Sequence, residues 1–201
     1  MTSKQIVIAT GNAGKIREIR ALYGDLPVEW IPVSQLGAYP DIAETGESFF
    51  ENALLKAQGI SEWAGLPTLA DDSGLAVDFL NGAPGVYSAR FSGPSATDES
   101  NTQLLLSKLD GVPDGQRTAR FHATIVAWWG ADDYERADGT CEGHIIGEPQ
   151  GESGFGYDPV FVPDGETETF AQLGAEVKNG MSHRSRALEK LRGALQRRIG
   201  V

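Results

Sequence analysis

The sequence lacks three features that would each point to a particular class of protein: a second cysteine, a long apolar run and an excess of basic residues. Its one cysteine, Cys141, cannot form an internal disulfide, which fits a reducing compartment. No stretch approaches the roughly 18 consecutive apolar residues of a membrane helix, and the start MTSKQIVIATG turns polar too early for a signal peptide. We therefore expect a cytoplasmic location and no membrane association.

The charge balance excludes one class of partner. Asp and Glu number 28 against 17 Lys and Arg, which gives a formal net charge of -11. An acidic surface is a poor match for nucleic acid, whose affinity rests on neutralising phosphates with basic side chains, so no nucleic acid partner is expected. A small anionic substrate remains possible where a few cations converge. With 201 residues and 40% hydrophobic content, the chain can bury a core as one domain or as two closely packed lobes.

The first motif is a glycine-containing turn between a strand and a helix. QIVIA at 5–9 is a β-branched run typical of a buried strand, and apolar residues at helical spacing follow the segment TGNAGK at 10–15. Such a turn directs backbone N–H groups and the positive end of a helix dipole at one point, which suits a phosphate. The Walker A and dinucleotide-binding patterns are absent. A plain connection with a solvated lysine is the alternative interpretation.

Adjacent carboxylates form the second motif. Asp71 and Asp72 in LADDSGL are predicted to lie in a turn between two short strands, at 66–70 and 75–79. Carboxylates together with substrate phosphates suit Mg²⁺, whereas a solvated turn is the alternative. Glu44 would join this set; it precedes a predicted helix that has acidic residues at its start. Asp158 would be a fourth acid of the set.

Two further segments carry chemistry. The loop GESGFGYDP at 151–159 holds two aromatic rings that either stack on a base or tuck inward. Ser182 is the predicted N-cap of the last helix, whose first residues, His183 and Arg184, oppose the helix dipole and so indicate an anionic or carbonyl ligand. A strand is also expected at 120–129, followed by a hairpin that turns at Asp138-Gly139.

Six motifs together resemble one family. TGNAGK at 10–15, ETGESFFENALLKA at 44–57, LADDSGL at 69–75, GAPGVYSARFSG at 82–93, GFGYDPVF at 154–161 and KNGMSHRSRAL at 178–188 are similar to the inosine triphosphate pyrophosphatase family. The motifs come in the family order and span nearly the whole chain. Residue 172 departs from the family pattern, because a glutamine stands where the family commonly has a glutamate.

The resemblance implies a fold and an activity. The implied fold is an elongated, two-lobed α/β fold with a long, curved, mixed β-sheet flanked by helices and a central substrate cleft, as one domain over residues 1–201 that forms a homodimer. The implied activity is Mg²⁺-dependent hydrolysis of ITP, dITP and XTP to the monophosphate and pyrophosphate, which keeps deaminated purines out of DNA and RNA.

The resemblance also implies roles for individual residues. Asp72 would accept the proton of the attacking water and, with Glu44, would hold the metal. The substrate would contact Thr10, Gly11, Asn12, Ala13, Gly14, Lys15, Ser73, Phe155, Gly156, Tyr157, Asp158, Lys178, His183 and Arg184. A 6-oxo purine would accept hydrogen bonds from Lys178 or Arg184, where the amino group of adenine would meet a donor.

Two other functions stay open. A pyrophosphatase for pyrimidine or modified bases would share the acids but should lack Lys178 and the Ser182-His183-Arg184 set. A regulatory protein that binds nucleotides without turnover could dispense with Asp72. The paired acids beside Glu44 favour an enzyme.

Overall fold

A computed structural model describes residues 4–201 of the chain. The single-domain prediction also includes residues 1–3, which lie outside this range. The helices and strands follow one another along the chain in the order β1 (Lys4–Ile8), α1 (Ala13–Tyr23), β2 (Val28–Pro32), α2 (Phe49–Ala64), β3 (Thr68–Val77), α3 (Asp98–Lys108), β4 (Thr118–Gly130), β5 (Asp133–Ile145), β6 (Phe161–Pro163), α4 (Phe170–Met181) and α5 (His183–Ile199).

The strands form one six-stranded mixed sheet in the order β2-β1-β3-β4-β5-β6. β1 pairs in parallel with β2 and with β3, whereas β6 pairs antiparallel to β5. The predicted α/β fold with a mixed sheet flanked by helices is thus confirmed. No helix among the described residues is both long and apolar enough to cross a membrane.

The chain divides into two compact units. The first contains the described residues up to Asp72 together with Ala123–Gly139 and Arg184–Val201, and the second contains Ser73–His122 and Thr140–His183. Each unit has its own buried side chains.

The first unit buries apolar side chains on both faces of the sheet. Successive residues of a strand point to opposite faces, so Ile6 and Leu69 pack with α1 and α5. Their neighbours Val7 and Ala70 pack with α2. A residue of β3 therefore meets different helices according to whether its number is odd or even.

The second unit has one core. Leu75 and Val77 of β3 pack there with Leu105 of α3, Phe161 of β6 and Phe170 of α4. Phe161 lies edge-on to Phe121 of β4, with ring centroids 4.7 Å apart. Helices α3 and α4 each start with a capping box, in which an N-cap hydroxyl and the side chain three residues later satisfy each other's backbone N–H groups.

Two predicted turns are wrong. The expected turn at Asp71-Asp72-Ser73-Gly74 is part of the continuous strand β3. The hairpin turns at Ala131-Asp132, whose φ angles of 49° and 62° suit a two-residue hairpin turn, and not at Asp138-Gly139. Asp138 lies within β5, where its carboxylate accepts a hydrogen bond from Thr124 of β4.

Candidate functional site

The adjacent acids Asp71 and Asp72 lie on opposite faces of the sheet. Asp71 has the parity of Leu69 and faces α1 and α5, whereas Asp72 has the parity of Ala70 and faces α2. Both are buried, with 1% and 6% of their surface exposed. The two carboxylates therefore avoid each other because the strand is extended, and each has its own cationic partners.

Asp71 is the centre of a buried ion cluster. Its carboxylate lies 2.5 Å from Lys15 Nζ of α1. It also accepts two hydrogen bonds from Arg184 of α5, 2.9 Å from Nε and 3.2 Å from Nη2, in the fork geometry that guanidinium and carboxylate groups favour. Arg184 Nη1 donates in addition to Glu18 of α1. This arrangement holds α1, β3 and α5 together.

Asp72 shares a single ammonium group with Glu44. Lys56 Nζ of α2 lies 2.8 Å from Asp72 Oδ1, 2.9 Å from Glu44 Oε1 and 2.8 Å from the Asp71 backbone oxygen. Asn52, one helical turn earlier, accepts a hydrogen bond from Gly46 N and so holds the segment that carries Glu44. The two predicted metal ligands are thus brought together around Lys56.

The environments shift the two aspartate pKa values in opposite directions. Burial would raise the pKa of Asp71, but Arg184 and Lys15 outweigh it and hold this pKa well below its usual range. Burial raises the pKa of Asp72, because Lys56 compensates only part of the desolvation. Burial also lowers the pKa of Lys15, and the nearby cations Lys56 and Arg184 lower it further. The carboxylate of Asp71 raises this pKa but does not offset the other effects. Asp72 is therefore the better proton acceptor of the two acids.

One atom of this cluster points to a ligand. Asp72 Oδ2 is buried and has no hydrogen-bond partner within the part of the chain that the structure describes. A buried carboxylate oxygen is costly unless it is paired or coordinates a metal. Among residues 4–201, no group of three or more His, Cys, Asp or Glu side chains is arranged to hold a metal. Two carboxylates fit Mg²⁺ in a site that substrate phosphates complete.

The predicted phosphate turn lies at the start of α1. Asn12 is the N-cap, and its side chain accepts a hydrogen bond from Lys15 N. Thr10 Oγ1 accepts one from Asn12 N. The exposed residues of the turn, Gly11, Asn12 and Ala13, surround the positive end of the helix dipole. Gly14 is buried behind them.

The second unit holds the other predicted substrate residues. Ser73 is half-buried in β3. In the glycine loop, defined here as residues 151–159, Phe155 is half-buried and its N–H donates to Asp158 Oδ2 at 2.9 Å. Tyr157 is tucked inward, and its hydroxyl donates to the backbone oxygen of Ser88. Of the two loop aromatics, Phe155 is therefore the one whose ring can contact a base.

Lys178 supports this loop from the second half of α4. Its buried ammonium donates to Asp158 Oδ2 at 2.6 Å and lies 4.3 Å from the centroid of the Phe155 ring. His183 is buried, and its ring stacks on Phe121 at 4.8 Å. These contacts place the Lys178 ammonium against the face of the Phe155 ring.

The structure adds two residues to the predicted site and explains the family departure at a third position. Lys56 and Glu18 were not predicted as members of the site; Lys56 had one signal, because it stands within a motif that resembles the family. The departure at Gln172 is explained by the capping box of α4. Its side chain accepts a hydrogen bond from Thr169 N, so the amide performs the role of a carboxylate there.

Comparisons with known proteins agree with the motifs. The sequence model of the Ham1 family matches residues 6–194. A protein of Escherichia coli O157:H7 named dITP/XTP pyrophosphatase is 48% identical over 195 residues, which cover 96% of this chain and 98% of the relative. A protein of the same name from Geobacillus kaustophilus (strain HTA426) is 49% identical over 188 residues, covering 94% and 92%. The solved structure of a HAM1 protein from Coxiella burnetii superposes with a TM-score of 0.87 at 41% identity, covering 96% of this chain and 99% of that one.

Proposed function

This chain belongs to the Ham1 family, and we propose that it is a nucleoside triphosphate pyrophosphatase acting on dITP, ITP and XTP. The products are the monophosphate and pyrophosphate, through cleavage of the bond between the α and β phosphates. The names of the relatives support the substrate class. The observation that carries the proposal is the buried Asp72 Oδ2, an acceptor without a partner in the described part of the chain.

The residues of the first unit suit the hydrolytic step. Water is a poor nucleophile, and Asp72, with its raised pKa, would accept the water proton during attack. The turn at 10–15, whose residues 11–13 are exposed, would bind the triphosphate through backbone N–H groups and the dipole of α1. Lys56 would keep Glu44 and Asp72 in place through its contacts with both.

Mg²⁺ would be held by Glu44 and Asp72 and would neutralise charge on the phosphate oxygens. We expect chelation with EDTA to remove activity and Mg²⁺ to restore it.

Because Glu44 would be a ligand, Glu44→Gln should raise the Mg²⁺ concentration for half-maximal activity by about tenfold or more. The measurement is a Mg²⁺ titration of pyrophosphate release, accompanied by binding of Mn²⁺ followed by electron paramagnetic resonance. Glu47→Gln is the matched control, because Glu47 is an exposed acid three residues after Glu44. An equal Mg²⁺ requirement of the two variants would refute the assignment of Glu44 as a ligand.

The residues of the second unit suit recognition of the base. Phe155 would stack on it, and Lys178 would donate to a 6-oxo group. Adenine presents an amino group at that position, and a donor facing a donor leaves polar groups unpaired, which is a strong means of rejection. We assign this role to Lys178 and not to Arg184, because Lys178 lies beside the Phe155 ring, whereas the guanidinium of Arg184 is held on Asp71 and Glu18.

The test of the proposed function is pyrophosphate release from dITP, ITP, XTP, GTP and ATP. We expect rapid turnover of the first three and at least about a hundredfold lower kcat/KM for ATP, because discrimination rests on a buried donor. Binding without release would instead support a regulatory nucleotide-binding protein. Preference for pyrimidine nucleotides would support the other pyrophosphatase class. We further propose that the protein is a cytoplasmic homodimer and has no nucleic acid partner. Light scattering in solution tests the oligomeric state.

A further inference from the structure

The peptide plane between Phe155 and Gly156 is held at both of its edges. On the carbonyl side, Phe155 O accepts a hydrogen bond from Asp158 N at 3.3 Å. On the amide side, Gly156 N donates to Asp98 Oδ2 of α3 at 2.7 Å. A peptide unit is rigid and its remaining freedom is rotation as a plane, so these two contacts together prevent a flip.

This plane needs both contacts because glycine follows it. Gly156 has a φ of 62°, in the left-handed region. Because glycine populates positive and negative φ about equally well, Gly156 by itself does not hold the plane in one orientation. On the other side of Phe155, the loop is already fixed. A Cβ at Gly154 would come within 2.2 Å of Asp158 Oδ2, so Asp158 fills that space and restrains the preceding backbone.

Helix α3 provides a firm support for the outer contact. The capping box of Thr97 and Ser100 fixes the first turn, in which Asp98 lies. Thr102, one turn later, has its hydroxyl 3.5 Å from Gly156 O, so α3 faces both polar groups of that residue. An acid in the first turn of a helix also favours the dipole. Glu99 serves that purpose equally, but its carboxylate contacts Gln103 and not the loop.

We propose that Asp98 is a positioning residue for the substrate base: its carboxylate locks the Phe155-Gly156 peptide and thereby the direction in which the Phe155 ring is presented. Asp98 does not touch the substrate. The inference rests on the proposed function, because it assigns Phe155 to the base. The bond is charge-assisted, which makes it stronger than a hydrogen bond between neutral groups.

The experiment compares Asp98→Ala, Asp98→Asn and Glu99→Ala in the full chain with Mg²⁺ and dITP. Asp98→Ala should raise KM about tenfold with kcat nearly unchanged, as expected for the loss of one exposed charge-assisted hydrogen bond. Asp98→Asn keeps an acceptor oxygen and should recover most of the loss, and Glu99→Ala should match the wild type. Amide hydrogen exchange at Gly156, read by NMR without ligand, should accelerate about tenfold in Asp98→Ala alone.

Three results would overturn the inference while the wild type turns over dITP: an unchanged KM in Asp98→Ala, a KM change without faster exchange at Gly156, or an equal change in Glu99→Ala. Loss of kcat together with a lower unfolding temperature would show a general structural role and would overturn it as well. If the wild type releases no pyrophosphate from dITP, ITP or XTP, the proposed function itself fails. That result is distinct, because the exchange measurement still shows whether Asp98 holds the peptide.

Discussion

Replacing Asp72 by asparagine is expected to abolish pyrophosphate release while the fold persists. The amide keeps the shape of the side chain but cannot accept the water proton, and general base catalysis is worth about 10²–10⁴-fold in rate. Binding of Mg²⁺ would weaken at the same time, since the same oxygens would serve both purposes. We therefore expect a loss of kcat of at least about a thousandfold, measured as pyrophosphate release from dITP at saturating Mg²⁺.

The unfolding temperature of Asp72→Asn is a second measurement, which shows whether the fold persists. Burial raises the pKa of Asp72 above its unfolded value, so above that folded pKa its ionised form disfavours the folded state. A neutral amide should therefore leave the unfolding temperature within about 3 °C of the wild type. Asp78→Asn is the control, because Asp78 is an exposed acid paired with Arg120 and Thr118. A variant Asp72→Asn that retains its rate would refute the assignment of the base.

Replacing Arg184 by leucine is expected to have the largest effect on stability. Arg184 has 1% of its surface exposed and pairs with the buried Asp71 and with Glu18. Its removal leaves a carboxylate without its main partner in a site that water does not reach. Breaking a buried pair in this way costs about 3–5 kcal/mol of unfolding free energy. For a chain of this size, the unfolding temperature should fall by about 6–20 °C.

Urea unfolding followed by circular dichroism measures this change. Arg120→Leu is the matched control, because Arg120 also pairs with two acids, Asp78 and Glu142, but on the surface. Exposed pairs contribute about 1 kcal/mol or less. The double variant Arg184→Leu with Asp71→Asn should recover part of the loss, since the unpaired charge is gone. Equal stability of Arg184→Leu and Arg120→Leu would show that the buried cluster does not hold the first unit together.

The same result bears on how Arg184 is interpreted. The family resemblance suggested contact with the substrate base, whereas the structure places its guanidinium on two protein carboxylates. If Arg184→Leu unfolds near the assay temperature, lost activity alone would not show contact with the base. Arg184→Lys, which keeps the charge but not the fork of donors, separates the two explanations when stability and KM are measured together.

The sequence alone determined the features that depend on neighbouring residues. The strand-turn-helix at 5–23, the helix at Phe49 with its acidic start and the helix at Asp98 follow from local periodicity and from capping residues, and each is confirmed. The family also followed from the sequence, because its motifs are short and occur in a fixed order. All of these signals are carried within a few residues of the feature that they predict.

Only the tertiary structure decided how the charges are partnered. Asp-Asp-Ser-Gly has the composition of a turn, yet the segment is a strand because Lys15 and Arg184 approach one face and Lys56 the other. Arg184 lies 113 residues from Asp71, so no local pattern could reveal that pair. Burial then separates two neighbouring aspartates into a structural anion and a candidate base, because the free energy of a buried charge depends on what the fold places beside it.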